Sequence, residues 1–244
     1  RSKIALNVWL QAVHLMCASK KGISAKQLER MLGVTYKTAW FMSHRIREAM
    51  SAESGGLLGG GGSTVEVDET YWGNTHQSKI GKQCGAKQGG PQKEKIVSLV
   101  ERGGKVRSFH VQMVTSATLK EAIAKNVHKD THIHTDSHYA YRKATKGYAS
   151  HETVNHTAQE YARGNVTTNT VEGYFSILKR GLVGTFHHVG EQHLQRYVRE
   201  FDFRYNTRSA LGYSDTDCAN LALKGIAGKR LTYQRTGSQR AVQV

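Results

Sequence analysis

The chain has 244 residues, and its 35 Lys and Arg against 19 Asp and Glu give a formal net charge of +16. This balance excludes an acidic disordered tail and favours a polyanionic partner such as nucleic acid. No run approaches the roughly 20 apolar residues of a membrane span, so a transmembrane protein is excluded. Cys17, Cys84 and Cys218 are far apart and odd in number. They predict no disulfide framework and a reducing compartment.

The first 50 residues are basic and helical in pattern, with nine Lys and Arg against two Asp and Glu. An apolar run over Ile4–Ala18 predicts a buried helix. A capping box at Ser24 predicts a second helix that ends at Leu32, and Thr35 caps a third that runs to Met50. Two helices joined by a short turn at Gly33 are typical of a helix-turn-helix module.

In a helix-turn-helix module the second helix enters the major groove with its N-terminal residues near the base edges. Those residues are Thr35, Tyr36 and Lys37. The side chains that suit phosphate contacts are Lys20, Lys21, Arg45 and Arg47. A plain three-helix dimerisation bundle is the alternative, and the local charge favours DNA.

A Gly/Ser tract follows this unit and predicts a flexible linker. The predicted organisation is a helix-turn-helix domain over residues 1–53, a linker over 54–63, a catalytic domain over 64–235 and a tail over 236–244.

After the tract the hydrophobic period changes from helical to alternating, which predicts strands. The predicted strands are 64–71, 95–100, 106–111 and 131–136, and the predicted helices are 118–128, 139–146, one from Asn169 and 191–205. Residues 147–168 read as a polar region. This order predicts an α/β fold, a ribonuclease-H-like mixed sheet with flanking helices.

A long loop between Gly73 and Lys95 carries Lys79, Lys82 and Lys87. We interpret it as a DNA-clamping loop, with a solvated insertion as the equal alternative.

Three carboxylates fall on the polar sides of their elements: Asp68, Asp136 and Glu172, with 35 residues between the last two. If they converge without basic partners they repel, and a pair of Mg²⁺ ions removes that cost because hard cations prefer carboxylate oxygens. Two such ions activate a water or a 3′-hydroxyl and stabilise the leaving oxygen of a phosphodiester. Lys179 lies two helical turns after Glu172 and suits a phosphate.

Each acid also has a structural interpretation. Asp68 suits a strand-end turn, and Asp136 suits a cap of the following helix. Glu172 suits a capping box in which it reaches back to the Asn169 amide. Glu66 and Glu69 flank Asp68, and one of them shares its face.

Six segments carry a family resemblance: 65–71 (VEVDETY), 134–137 (HTDS), 169–181 (NTVEGYFSILKRG), 184–188 (GTFHH), 200–206 (EFDFRYN) and 228–233 (GKRLTY). In these segments the chain resembles the ISXO-like group of bacterial insertion-sequence DDE transposases. The resemblance spans about residues 1–235. It implies an integrase-type core, a divalent metal (Mg²⁺ or Mn²⁺) and a bacterial, cytoplasmic protein. It also implies Asp68, Asp136 and Glu172 as the acidic triad, with Lys179 as the trailing basic residue.

Two departures from the family pattern bear on the site. The family usually starts with a zinc ribbon, and no CxxC pair is present to build one. Some members carry Asn in the third acidic position, so Asn169 stays a second candidate beside Glu172.

We assign further DNA contacts to Arg180, His187 and Arg204, with loop surface as the alternative for the histidine.

The sequence thus predicts a DDE transposase that binds terminal inverted repeats, hydrolyses phosphodiesters and joins the ends to target DNA. Because such an enzyme holds two ends, we expect a homodimer or larger assembly on double-stranded DNA. The alternatives are a degenerate or domesticated DNA-binding protein without catalysis, and a ribonuclease-H-like nuclease.

Overall fold

The computed structural model describes residues 3–51, 55–73, 93–155 and 162–229. The helices are α1 Leu6–Ala18, α2 Ala25–Leu32, α3 Tyr36–Met50, α4 Ser116–Asn126, α5 Tyr139–Ala144, α6 Asn169–Gly181, α7 Glu191–Asn206 and α8 Asp215–Lys224. The strands are β1 Thr64–Trp72, β2 Glu94–Glu101, β3 Val106–Val111, β4 His132–Asp136, β5 Ser150–Val154, β6 Ala162–Arg163 and β7 Val166–Thr167. A π-helical turn over Leu182–Phe186 extends α6.

The central sheet has five strands in the order β3-β2-β1-β4-β5. The first three form an antiparallel meander, and β4 and β5 add in parallel to β1. This strand order, with helices on both faces, is the ribonuclease-H-like fold that the sequence predicts. The sequence analysis missed β5, which lies in the predicted polar region. Only Val154 of this edge strand is fully buried, so the strand lacks the apolar alternation that would have indicated it.

Two apolar cores cover the two faces of the sheet. On one face Val65, Val67 and Leu99 pack against α4 and α5. On the other face Ile96 and Val100 pack against α6 and α7. The alternation of β1 therefore assigns its odd-numbered side chains to the α4–α5 face and its even-numbered ones to the α6 face.

The N-terminal helices α1–α3 share a third core, and α8 joins it from the far end of the chain. Cys218 and Ala222 of α8 are buried in this core. A capping box between Ser214 and Asp217 begins α8. The sequence analysis missed this helix, although Ser-x-x-Asp is a recognisable start signal.

Part of the Gly/Ser tract, which the sequence predicts as a flexible linker over residues 54–63, packs against the sheet domain. Leu58 is buried and exchanges backbone hydrogen bonds with Asn126 and His128. The Gly60 amide donates to Thr131 Oγ1 at 3.0 Å. The apolar side chain of Leu58 therefore anchors the tract to the sheet domain.

Within the described residues no helix is long and apolar enough to cross a membrane.

Candidate functional site: an acidic edge of the sheet

Two of the predicted acids stand side by side on β1 and β4, Asp68 in the middle of β1 and Asp136 as the last residue of β4. The strands are parallel and pair Val67 with Thr135, so Asp68 and Asp136 follow at the same level. The Glu69 amide donates to Asp68 Oδ1 at 2.8 Å, and the His138 amide donates to Asp136 Oδ1 at 3.0 Å. Asp136 thus also makes the local turn contact that a purely structural role would give it.

Helix α6 brings Glu172 to this edge. It packs on the face of β1 that carries Asp68, and its apolar residues Val171, Tyr174 and Leu178 are buried beneath it. Glu172 lies on the exposed side, where Thr168 Oγ1 donates to Glu172 Oε1 at 2.9 Å. The amide of Asn169 donates to Thr167 Oγ1, so the predicted capping contact from Glu172 to that amide is replaced by this threonine.

Asp68 lies among other negative charges. Burial and the negative charges of Glu69, Asp136 and Glu172 hold the pKa of Asp68 well above its ordinary value. No Lys or Arg in the described parts of the chain forms an ion pair with Asp68 or Asp136. An ionised carboxylate in this position is destabilised until a cation approaches it.

Glu69 is a fourth acid at the same edge, on the opposite side of β1. Tyr141 Oη donates to Glu69 Oε2 at 2.5 Å, and Tyr71 Oη lies 3.5 Å from Glu69 Oε1. Burial raises the pKa of Glu69, and the charge of Asp136 adds to this, while the bond from Tyr141 opposes it. The two tyrosines hold Glu69 in place, so it contributes negative charge to the edge rather than a movable ligand.

The donor chemistry of this acidic edge fits a hard divalent cation. The donors are carboxylate oxygens only, and burial together with the negative charges of other acids raises the pKa of Asp68. Over the described residues, however, no three His, Cys, Asp or Glu side chains lie close enough to form a complete metal site. Asp68 and Asp136 are the two of these acids that the pairing of β1 with β4 places side by side.

The predicted basic residues near the edge are exposed. Lys179 and Arg180 lie in the last turn of α6, on the same exposed side as Glu172. His187 follows the π-helical turn with φ 60°, the left-handed region that non-glycine residues rarely adopt. All three side chains are placed to meet a ligand from solvent. Lys79, Lys82 and Lys87 lie outside the described residues.

The predicted base-reading residues lie at the exposed start of α3. Thr35 caps this helix, and Thr38 N donates to its hydroxyl. Tyr36 and Lys37 follow in the first turn with exposed side chains. Arg45, one of the predicted phosphate contacts, is exposed with its guanidinium over the rings of Trp9 and Phe41.

Two predicted DNA contacts are corrected by the structure. Arg47 is 1% exposed, donates to Glu200 Oε2 at 2.5 Å and lies over the ring of Tyr197. Arg204 donates to Glu200 Oε1 and to the carbonyls of Met16 and Ser19. Both arginines join the N-terminal helices to α7, so neither is available to a phosphate. The four-residue spacing of Glu200 and Arg204 on α7 could have indicated the second ion pair, whereas nothing local indicates the pairing of Arg47 with Glu200.

The sequence analysis also missed the residues that hold the site together. Glu66, which it noted only as a neighbour of Asp68, is fully buried and contacts the start of α6. Arg102 donates to Glu66. His134 is buried beside Arg102. Period-2 alternation could have placed Glu66 on the Asp68 face, but its partners lie far along the chain.

The five-stranded sheet with helices on both faces, and with Asp68 and Asp136 on neighbouring strands, places the protein in the ribonuclease-H-like class of folds. The family model described as the ISXO2-like transposase domain matches residues 57–206. The chain belongs to this family. It is also similar to an uncharacterized transposase-like protein of Haemophilus influenzae, with 28% identity over 102 residues, or 42% of this chain and 81% of the relative.

Proposed function

We propose that this protein is a DDE transposase that binds the ends of an insertion sequence, cleaves phosphodiesters there and joins the 3′ ends to target DNA. The observation that carries the proposal is the meeting of Asp68 and Asp136 on adjacent strands, with the charge of Glu172 raising the pKa of Asp68. Family membership supports the transposase function itself.

In this proposal Asp68, Asp136 and Glu172 hold Mg²⁺ or Mn²⁺, two ions in the assembled state. The ions, when bound, supply an activated nucleophile and charge stabilisation for the leaving oxygen. Lys179 binds a phosphate of the processed end as a point charge, and Arg180 and His187 contact the adjacent backbone. Asn169 is exposed at the start of α6, one turn before Glu172, and stays the second candidate for the third position.

The N-terminal helices supply the DNA-end recognition. Gly33 adopts φ 65° and lets α2 turn sharply into α3, which presents Thr35, Tyr36 and Lys37 to solvent. We assign these residues to the major groove of the terminal inverted repeat. Two ends require two active sites, so the working form is a homodimer or larger assembly on the chromosome in the bacterial cytoplasm.

The direct test is joining of a pre-nicked DNA end to target DNA in Mg²⁺, by the wild type and by Asp68→Ala. The proposal expects metal-dependent joining that the variant loses while it still binds DNA. Intact DNA binding without joining by either protein would favour a DNA-binding relic. Cleavage that ignores the terminal repeat would favour a nuclease.

A further inference from the structure

The Glu66 carboxylate is one of the most heavily bonded acids in the described structure, and its main partners are at the beginning of α6. It is 0% exposed. The amides of Thr170 and Val171 donate to its Oε2 at 2.7 and 3.0 Å. Thr170 Oγ1 donates to Oε1 at 2.9 Å, and Arg102 Nε donates to the same oxygen at 2.7 Å. One side chain thus receives two of the free amides at the start of a helix.

Arg102 extends this contact to the chain that leads into α6. Its terminal nitrogens donate to the carbonyls of Asn165 at 2.7 Å and Thr167 at 3.1 Å. His134 Nδ1 lies 3.2 Å from Arg102 Nη2, and His134 is the register partner of Glu66 on β4. The Glu66–Arg102 pair therefore ties together β1, β4, the segment before α6 and the first turn of α6.

Both ends of the contact between Glu66 and α6 lie close in sequence to an acid of the candidate site. Glu66 is two residues before Asp68 on the same face of β1, and Val171 directly precedes Glu172. The bonds between Glu66 and the start of α6 thus link directly the strand that carries the first acid and the helix that carries the third.

We propose that Glu66, held by Arg102, is a positioning residue that sets the separation between Glu172 and Asp68 and so the affinity of the acidic edge for a divalent cation. This inference rests on the proposed function, because it concerns the same acids. Glu66 faces amides and a guanidinium rather than solvent, so it acts through α6 and is not itself a ligand.

The simpler alternative is that Glu66 only stabilises the fold. Glu200 provides the matched control, since it is also 0% exposed and also receives an arginine Nε, that of Arg47, but lies between α3 and α7. If burial and ion pairing were all that mattered, Glu66→Gln and Glu200→Gln would have the same consequences. Positioning predicts that only the first variant changes the acidic edge.

Two readouts besides activity test this on the full chain. The first is Mn²⁺ affinity from calorimetric titration of the protein without DNA. The second is amide hydrogen exchange over residues 168–173, relative to that of β2 in the same variant. For Glu66→Gln we expect Mn²⁺ affinity to fall at least about tenfold and exchange at the start of α6 to accelerate by a similar factor. For Glu200→Gln we expect both to stay within about twofold of the wild type.

A second variant keeps the proposal testable if Glu66→Gln fails to fold. Thr170→Val removes the hydroxyl donor and leaves both amide bonds, so it should weaken Mn²⁺ binding in the same direction by about two- to fivefold. Wild-type Mn²⁺ affinity in a folded Glu66→Gln, or in Thr170→Val, would overturn the proposal. If the metal and exchange effects appear but the wild type joins no DNA, the proposed function fails and the positioning role stands.

Discussion

Two clusters of charged side chains in this protein have opposite electrostatic surroundings. At the acidic edge, Asp68 and Asp136 lie together without an Arg or Lys ion-pair partner in the described parts of the chain, and the pKa of Asp68 is raised. Between α3 and α7, the single acid Glu200 accepts hydrogen bonds from both Arg47 and Arg204, and we call these three residues the paired cluster. The carboxylate of the second cluster is fully paired by arginines within the fold, whereas in the proposed function the acids of the first are paired by a cation from solution. This difference is what we use to separate a structural acid from one proposed for chemistry.

The largest expected effect is on catalysis at the acidic edge. Asp136→Asn removes one charge of the pair while keeping an acceptor for the His138 amide. Because a bound metal contributes several kcal/mol of charge stabilisation and each 1.36 kcal/mol is tenfold in rate, we expect joining to fall at least about a thousandfold. The rate of joining a pre-nicked end in Mg²⁺ measures this. Full activity in the variant would remove Asp136 from the site.

The next effect is on stability at the paired cluster. Removing one partner of a buried pair costs about 3–5 kcal/mol when the other charge is left alone, and because Arg47→Ala leaves Glu200 bound to Arg204 we expect a loss of about 2–3 kcal/mol. Urea unfolding of the variant and the wild type should show this loss. A change below about 1 kcal/mol would mean that water reaches Glu200, and the contrast between the two clusters would weaken.

A histidine beside the paired cluster should make the free energy of unfolding depend on pH. Burial and the charges of Arg47, His193 and Arg196 lower the pKa of His44 to about 2. Since the unfolded chain then binds the proton first, stability falls as pH falls below about 6.5, by about 1.4 kcal/mol per pH unit. We expect His44→Phe to lose about 2 kcal/mol less than the wild type between pH 6.5 and 5. Parallel stability curves for the two proteins would contradict this.

The smallest effect is a gain in stability at the acidic edge without metal. The pKa of Asp68 is raised, so its stabilising contribution is full at low pH and is lost as pH rises through the folded-state value. Asp68→Asn removes that charge and keeps the acceptor for the Glu69 amide. We expect thermal unfolding at pH 7 to show a gain of about 0.5–2 kcal/mol.

The sequence predicts the strands and helices that bear the acids, because their alternation and amphipathic spacing are strong local signals. It fails where a partner far along the chain decides the outcome. Arg47 reads as a surface cation until Glu200, 153 residues away, is placed against it. The role of Glu66 likewise depends on Thr170 and Val171, 104 and 105 residues away. The burial of Leu58 in the Gly/Ser tract depends on a backbone pairing with Val127 that composition does not reveal.

The central claim is that the acidic edge is destabilising until a divalent cation binds there. Thermal unfolding at pH 7 of the wild type and Asp68→Asn, each with and without Mn²⁺, tests it most directly. We predict that Asp68→Asn is the more stable protein without metal, and that Mn²⁺ raises the melting temperature of the wild type but not of the variant. Equal stabilisation of both proteins by Mn²⁺, or a variant that is less stable without metal, would contradict the account.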